Sequence, residues 1–223
     1  MASEPSRKYS SPRQQDRRKR ILKATAAHLV KHGLETISMQ GIAQDSGVSV
    51  KTLYNLFGSR DELLLKAGTR ELSNLESSDT ILRVEEGLPR LLAYVVATMD
   101  DFVAAPKYAH AIISTLAKAD LTLDLADHHM GVVRRYAEAS LLIAKDQGEL
   151  RADVDTAKLA RHISADQWGA VLLWVKGLLP VEDLPDHVAF SHYATLLAVT
   201  RGRRRDLMEQ QFEALITNSL SIP

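Results

Sequence analysis

The stretch ILKATAAHLVKHGLETISMQGIAQDSGVSVKTLYNLFGSRDELL, residues 21–64, carries the fold of this chain. Ile21, Leu22, Thr25, Leu29 and Val30 recur at the three- and four-residue spacing of a helix with one apolar face, and Gly33 ends it. Ser38 is placed to cap a second helix carrying Ile42 and Ala43, because a serine oxygen accepts hydrogen bonds from first-turn N–H groups. Gly47 sits where a tight turn requires positive φ. Ser49 caps a third helix through Leu53 and Tyr54 to about Leu56, and Gly58 breaks it. Ser59 and Glu62 form an S-x-x-E capping box for a fourth helix, about 59–76, running through Leu63, Leu64 and Leu65. A helix, a turn and a short helix whose cap follows a glycine by two residues is the spacing of a helix-turn-helix. Such a pair is compact because one helix braces across the DNA backbone while the other enters a groove about 12 Å wide.

Charge agrees with that reading. The net charge is zero, yet residues 1–66 carry 12 Lys+Arg against 6 Asp+Glu, leaving 16 against 22 for the remainder of the 28 and 28 in the whole chain. A basic front half suits a polyanion, since neutralised phosphates release counterions. The 223 residues are 45% hydrophobic and include no cysteine, which excludes a disulfide framework and any thiolate metal site. No apolar run approaches the roughly 18 residues of a membrane span, and the polar, basic N-terminus lacks the apolar stretch of a secretory signal. A cytoplasmic protein without membrane contact is expected. Strand signals are nearly absent, so the chain reads as all-α.

Residues 21–64 also closely resemble the DNA-binding domain of the TetR (tetracycline-repressor) family. The matching features are the apolar first helix, Gly33, Ile42-Ala43, Gly47-Val48-Ser49, Thr52-Leu53-Tyr54, Phe57 and Ser59-Arg60 before Asp61, Glu62 and Leu63. The resemblance implies a dimeric, ligand-responsive repressor that binds a double-stranded, palindromic operator. It divides the chain into a disordered arm at 1–12, a DNA-binding domain at 13–66 and a ligand-binding and dimerisation domain at 67–223. This chain departs from many relatives in having Asn55-Leu56 near the end of the recognition helix and Arg60 where lysine is common. Leucine offers a base edge no hydrogen bond, whereas arginine offers phosphate a bidentate fork.

Roles within the motif follow from chemistry. Lys51 suits guanine acceptors, Asn55 suits adenine, Thr52 suits either a base edge or a phosphate, and Val50 suits a thymine methyl. Tyr54 resembles the family tyrosine that donates to a phosphate, and Ser38 and Gln40 resemble its contacts from the bracing helix. Leu53 and Phe57 are expected to face the core. The run Arg17-Arg18-Lys19-Arg20, with Arg13 before it, adds phosphate contacts or lies along a groove.

Beyond residue 80 the chain reads as helices at about 87–105, 106–119, 122–148, 155–176, 183–200 and 203–219, punctuated by Pro106, Pro180 and Pro185. The helix at 155–176 has apolar residues on two neighbouring stripes. In the next, Val188, Phe190, Tyr193, Leu196, Leu197 and Val199 leave little polar surface. Helices apolar over most of their circumference are buried on more than one side, which a C2 dimer satisfies. Tyr94, Phe102, Tyr108, His110, Met130, Tyr136 and Trp168 are candidates to line a cavity for an unknown small-molecule effector. Asp124 and His128 stand four apart on one helix face with His129 adjacent, a spacing that could hold a metal, but no third ligand is evident, so no metal and no cofactor is expected. No Glu-x-x-His pair, G-x-S-x-G, glycine-rich phosphate loop or cysteine nucleophile is present, so an enzyme is not expected.

Overall fold

The computed structural model describes residues 12–32, 37–117 and 123–219, with the side chains of 123–126, 128–130 and 218–219 outside that description. Gly33, most of the expected arm, and the side chains of Met130, Asp124, His128 and His129 therefore lie outside the described residues. Pro12 belongs to the first helix rather than to the arm.

Eleven α-helices follow one another among the described residues: α1 (Pro12–His32), α2 (Met39–Ser46), α3 (Val50–Phe57), α4 (Arg60–Glu76), α5 (Asp79–Leu82), α6 (Leu88–Ala104), α7 (Pro106–Leu116), α8 (Leu123–Asp146), α9 (Thr156–Val175), α10 (Leu184–Leu197) and α11 (Gly202–Ser219). Their boundaries are set by local chemistry. The side-chain oxygens of Ser38, Ser49 and Ser59 accept from the backbone N–H of Gly41, Thr52 and Glu62, each at 3.1 Å. Gly47 closes α2 at φ 66°, in the left-handed region that favours glycine. Prolines open α6, α7 and α10, where a missing N–H costs nothing. The four-residue α5 and a 3-10 turn at Val181–Asp183 are too short to leave a periodic signature.

Two cores organise the chain. In the first, Ile21, Leu29, Ile42, Leu53, Phe57 and Leu64 of α1–α4 pack together and are joined by Ala111 and Ile112 of α7. The second is built from α6, α8, α9 and α10 around Tyr94, Met99, Leu141, Ile163 and Leu196. Helix α4 runs through the boundary expected at residue 66. Leu63, Leu64 and Leu65 lie in the first core, while Leu75 packs on the second.

The second apolar side of α10 is covered in large part by this chain's own α11. The rings of Phe190 and Phe212 sit 5.0 Å apart, and the Tyr193 hydroxyl donates to Gln211 Oε1 at 3.1 Å. Leu196 is 0% exposed and points into the body core. The large apolar residues left open on α9, α10 and α11 are Leu172 and Leu173 of α9, Phe190 of α10 and Leu207 of α11.

His192 of α10 is buried, with Nδ1–H donating to the Val188 carbonyl at 2.6 Å. Burial holds its pKa below the ordinary 6.5, although Asp166, 3.9 Å away, acts in the opposite direction. A depressed folded pKa means that folding strips a proton below the unfolded pKa. Stability present above about pH 6.5 is therefore lost as pH falls. Between about pH 8 and pH 5.5, the melting temperature of the wild type is expected to fall further than that of His192→Leu. Equal falls, followed by circular dichroism, would place the acid sensitivity elsewhere.

Candidate nucleic-acid interface and effector cavity

Helix α3 divides its residues between two faces. Leu53 and Phe57 are buried, as expected for a helix anchored by one stripe. Lys51, Tyr54 and Asn55 share the exposed face, and Tyr54 is half exposed, an unusual position for so large an aromatic. The Thr52 hydroxyl bonds Ser49 Oγ at 2.9 Å, so it is partly committed to the cap. Val50 and Leu56 are only partly buried and pack against the first core. Leu56 thus has a packing role, which accounts for an apolar residue near the end of this helix. Ser38 and Gln40 are exposed at the start of α2, and Arg60 opens α4 partly exposed.

Three contacts hold α1 against α2, α3 and α4. His28 Nδ1 bonds the Asp45 carboxylate at 2.5 Å, tying α1 to α2, and this bond holds Asp45 below the usual carboxylate range. Ahead of Ile21, α1 extends through residues 12–20, with Arg13, Arg17, Lys19 and Arg20 exposed. Arg18 differs from them: its guanidinium lies over the Phe57 ring, 5.2 Å from the centroid. Arg70 of α4 donates to the Lys19 carbonyl at 3.3 Å. The basic run is thus a helical projection, with one arginine used to fix it.

A cavity of about 440 Å³ lies where the first core meets the second. Phe102, Tyr108 and Trp168 line it, alongside Met99, Ile113 and Val133. The other aromatic candidates are elsewhere. Tyr94 is 0% exposed in the second core, its ring 4.1 Å from that of Tyr136. Tyr136 lines a separate, more polar cleft, and His110 is exposed, its ring edge-on to Trp174 at 5.8 Å. Seven of the lining residues missing from the sequence-based set come from the front of the chain: Lys23, Ala26, Ala27 and Val30 of α1, and Gly68, Glu71 and Leu72 of α4. The pair Ala26-Ala27 beside an apolar stripe is the signal that marks where α1 leaves room. Gln167 of α9 also lines the cavity and is 4% exposed, its Oε1 without a hydrogen-bond partner. Among the described residues no group of three His, Asp or Glu side chains is placed to hold a metal ion.

The sequence profile of the bacterial regulatory proteins of the tetR family matches residues 21–67. The chain is 30% identical over 165 residues to the HTH-type transcriptional repressor KstR of Mycolicibacterium smegmatis, covering 73% of this chain and 78% of that protein. The chain belongs to the TetR family. A second KstR, from Rhodococcus jostii, is 44% identical over 68 residues, which span 30% of this chain and 32% of that relative. Among solved structures, Thermus thermophilus FadR, a TetR-family repressor in complex with lauroyl-CoA, superposes with a TM-score of 0.67 at 18% identity, over 80% of this chain and 93% of that one. The all-α TetR fold is therefore present from head to body, and the protein is a helix-turn-helix transcriptional regulator whose KstR relatives are repressors. No described helix of this TetR-family chain is long and apolar enough to cross a membrane.

Proposed function

We propose that this protein is a cytoplasmic, non-catalytic homodimeric repressor that leaves a near-palindromic operator when a small, largely apolar effector fills the cavity. The observation that carries the reading is the cavity's composite wall. Helices α1 and α4, which also hold the recognition helix, face α6, α7, α8 and α9 across the same space. Residues 13–66 act as the DNA-binding head and 67–223 as the body. Lys51, Thr52 and Asn55 address base edges, Val50 edges a thymine methyl, and Tyr54, Arg60, Ser38 and Gln40 hold the backbone.

Two heads related by a dyad read half-sites roughly 34–36 Å apart. A ligand that prefers a different head position lowers DNA affinity by linkage, and the operator weakens the ligand equally. A coupling of about 1–3 kcal/mol corresponds to roughly 5–150-fold. The lauroyl-CoA named for FadR is a precedent for an effector that carries an apolar chain on this fold. The test is to map the protected DNA upstream of the protein's own coding region, then titrate the complex with candidate effectors. Reciprocal weakening is expected. A compound that binds the cavity tightly and leaves operator affinity unchanged would favour a ligand-independent DNA-binding protein.

The helical projection of α1 adds phosphate contacts in this reading. Replacing Arg13, Arg17, Lys19 and Arg20 with alanine should weaken specific and non-specific DNA alike. The slope of log K against log salt should shrink by about one for each phosphate contact removed. An unchanged slope would place the projection away from DNA.

A further inference from the structure

We propose that the cavity is selective for a ligand whose polar end is an ammonium or amine on an apolar body, and that it discriminates against carboxylates and phosphates of the same length. This names the effector class of the site described above, and depends on the repressor reading only for the link to DNA release. Of the three charged residues lining the cavity, two are acidic. Glu71 of α4 and Asp101 of α6 both line it, against Lys23 of α1 as the basic residue of the wall. No ion pair joins Lys23 to either carboxylate among the described residues.

Asp101 keeps an exposed surface at the cavity's edge, and partial desolvation, then the charges of Asp100 and Glu71, push its carboxyl above the ordinary value. A carboxylate held near other carboxylates is relieved by a cation and further disfavoured by an anion. The Tyr108 hydroxyl, which has no hydrogen-bond partner, is pushed up by burial and then by Glu71, with Arg70 acting in the opposite direction, so it stays a neutral O–H able to donate or accept. Deeper in the wall, Gln167 presents a buried Oε1 that nothing in the protein satisfies. An unmet buried acceptor is costly to leave unpaired, so it favours a ligand that donates.

The rest of the lining is hydrocarbon and aromatic, including Met99, Phe102, Ile113 and Trp168, and 440 Å³ lies within the usual range of small-molecule sites of about 300–1,000 Å³. A carboxylate or phosphate terminus would find these acceptors with one lysine to answer them. An ammonium on an apolar chain would meet complementary groups along its length. Because Glu71 belongs to α4 and Asp101 to α6, the same charge would tie the helix that continues out of the head to the body.

The experiment measures binding of decylammonium, decan-1-ol and decanoate to the full chain by quenching of Trp168 and Trp174 fluorescence at low salt. Decylammonium is expected to bind at least about tenfold more tightly than decanoate, with decanol between them. In the double variant Glu71→Gln/Asp101→Asn the ammonium's advantage over decanol should disappear, with decanol binding unchanged. Ala27→Trp, which fills the cavity from α1, should remove binding of all three. The proposal is overturned if decanoate binds as tightly as decylammonium, if the double variant keeps the preference, if Ala27→Trp binds like wild type, or if a folded wild-type chain binds none of the probes. Release of operator DNA is scored separately. Selective ammonium binding with an intact operator complex upholds the ligand class and overturns the repressor-release reading.

Discussion

Replacing Lys51 and Tyr54 together with alanine will lower operator affinity by at least about thirtyfold while leaving the helical circular dichroism spectrum intact. The two side chains lie on the exposed face of α3, so their loss creates no core cavity, and such surface changes usually alter stability by less than about 0.5 kcal/mol. The cost falls on binding. A base-edge contact is worth about 1–3 kcal/mol, and a dyad-related pair of heads makes it twice, so Lys51 alone accounts for about 2–6 kcal/mol, or roughly thirtyfold to 10⁴-fold. The two residues are also separable. Lys51→Ala should relax sequence preference at one position of each half-site, whereas Tyr54→Phe, which removes one hydroxyl aimed at a phosphate, should weaken all sequences about equally. A double variant that holds its operator as tightly as wild type would show that α3 is not the recognition helix.

The head was legible in the sequence because its boundaries are decided by chemistry within a few residues. Ser38, Ser49 and Ser59 cap because a short hydroxyl side chain reaches the N–H three residues on, and Gly47 turns because no Cβ opposes its φ of 66°. The division of α3 between Leu53 and Phe57 on one side and Lys51, Tyr54 and Asn55 on the other follows from the helical period alone. What escaped was non-local. Nothing in the spacing of Tyr94 distinguishes a residue that fills the core from one, such as Tyr108, that borders a cavity; the difference depends on which helices pack beside it. The contribution of Lys23 and Glu71 to that cavity was hidden because each stands in a helix otherwise explained by the DNA-binding head. Helix α10 was likewise legible as apolar on several sides, but not as covered by α11 through Phe190 and Phe212.

That cover changes how dimerisation is tested. An aspartate at Leu196, a natural choice from the sequence, would sit in the body core, where the leucine is 0% exposed, and would report on folding instead of association. The surface suited to a second copy is the outer face of α9 and α10. Leu172, Leu173 and Phe190 are 38%, 42% and 47% exposed there, and a Cβ added at Gly169, one turn before Leu173, would meet open space that an opposing helix can approach. Four helices, two from each copy, would bury these side chains about a dyad. In Leu173→Glu/Phe190→Glu each copy brings two charges to the seam and the dyad makes them four, an arrangement costing several kcal/mol without partners. Because Leu173 and Phe190 are each only about half covered in the single chain, Phe190 by the Phe212 ring, the variant should keep most of its helical spectrum. Sedimentation should show the mass halved at micromolar concentration. Operator affinity should then fall by about 10²–10⁴-fold, since the second head no longer benefits from the first. If the variant sediments as an undisturbed dimer, α9 and α10 do not form the seam; if it is monomeric yet binds the operator as wild type does, the two heads do not act together.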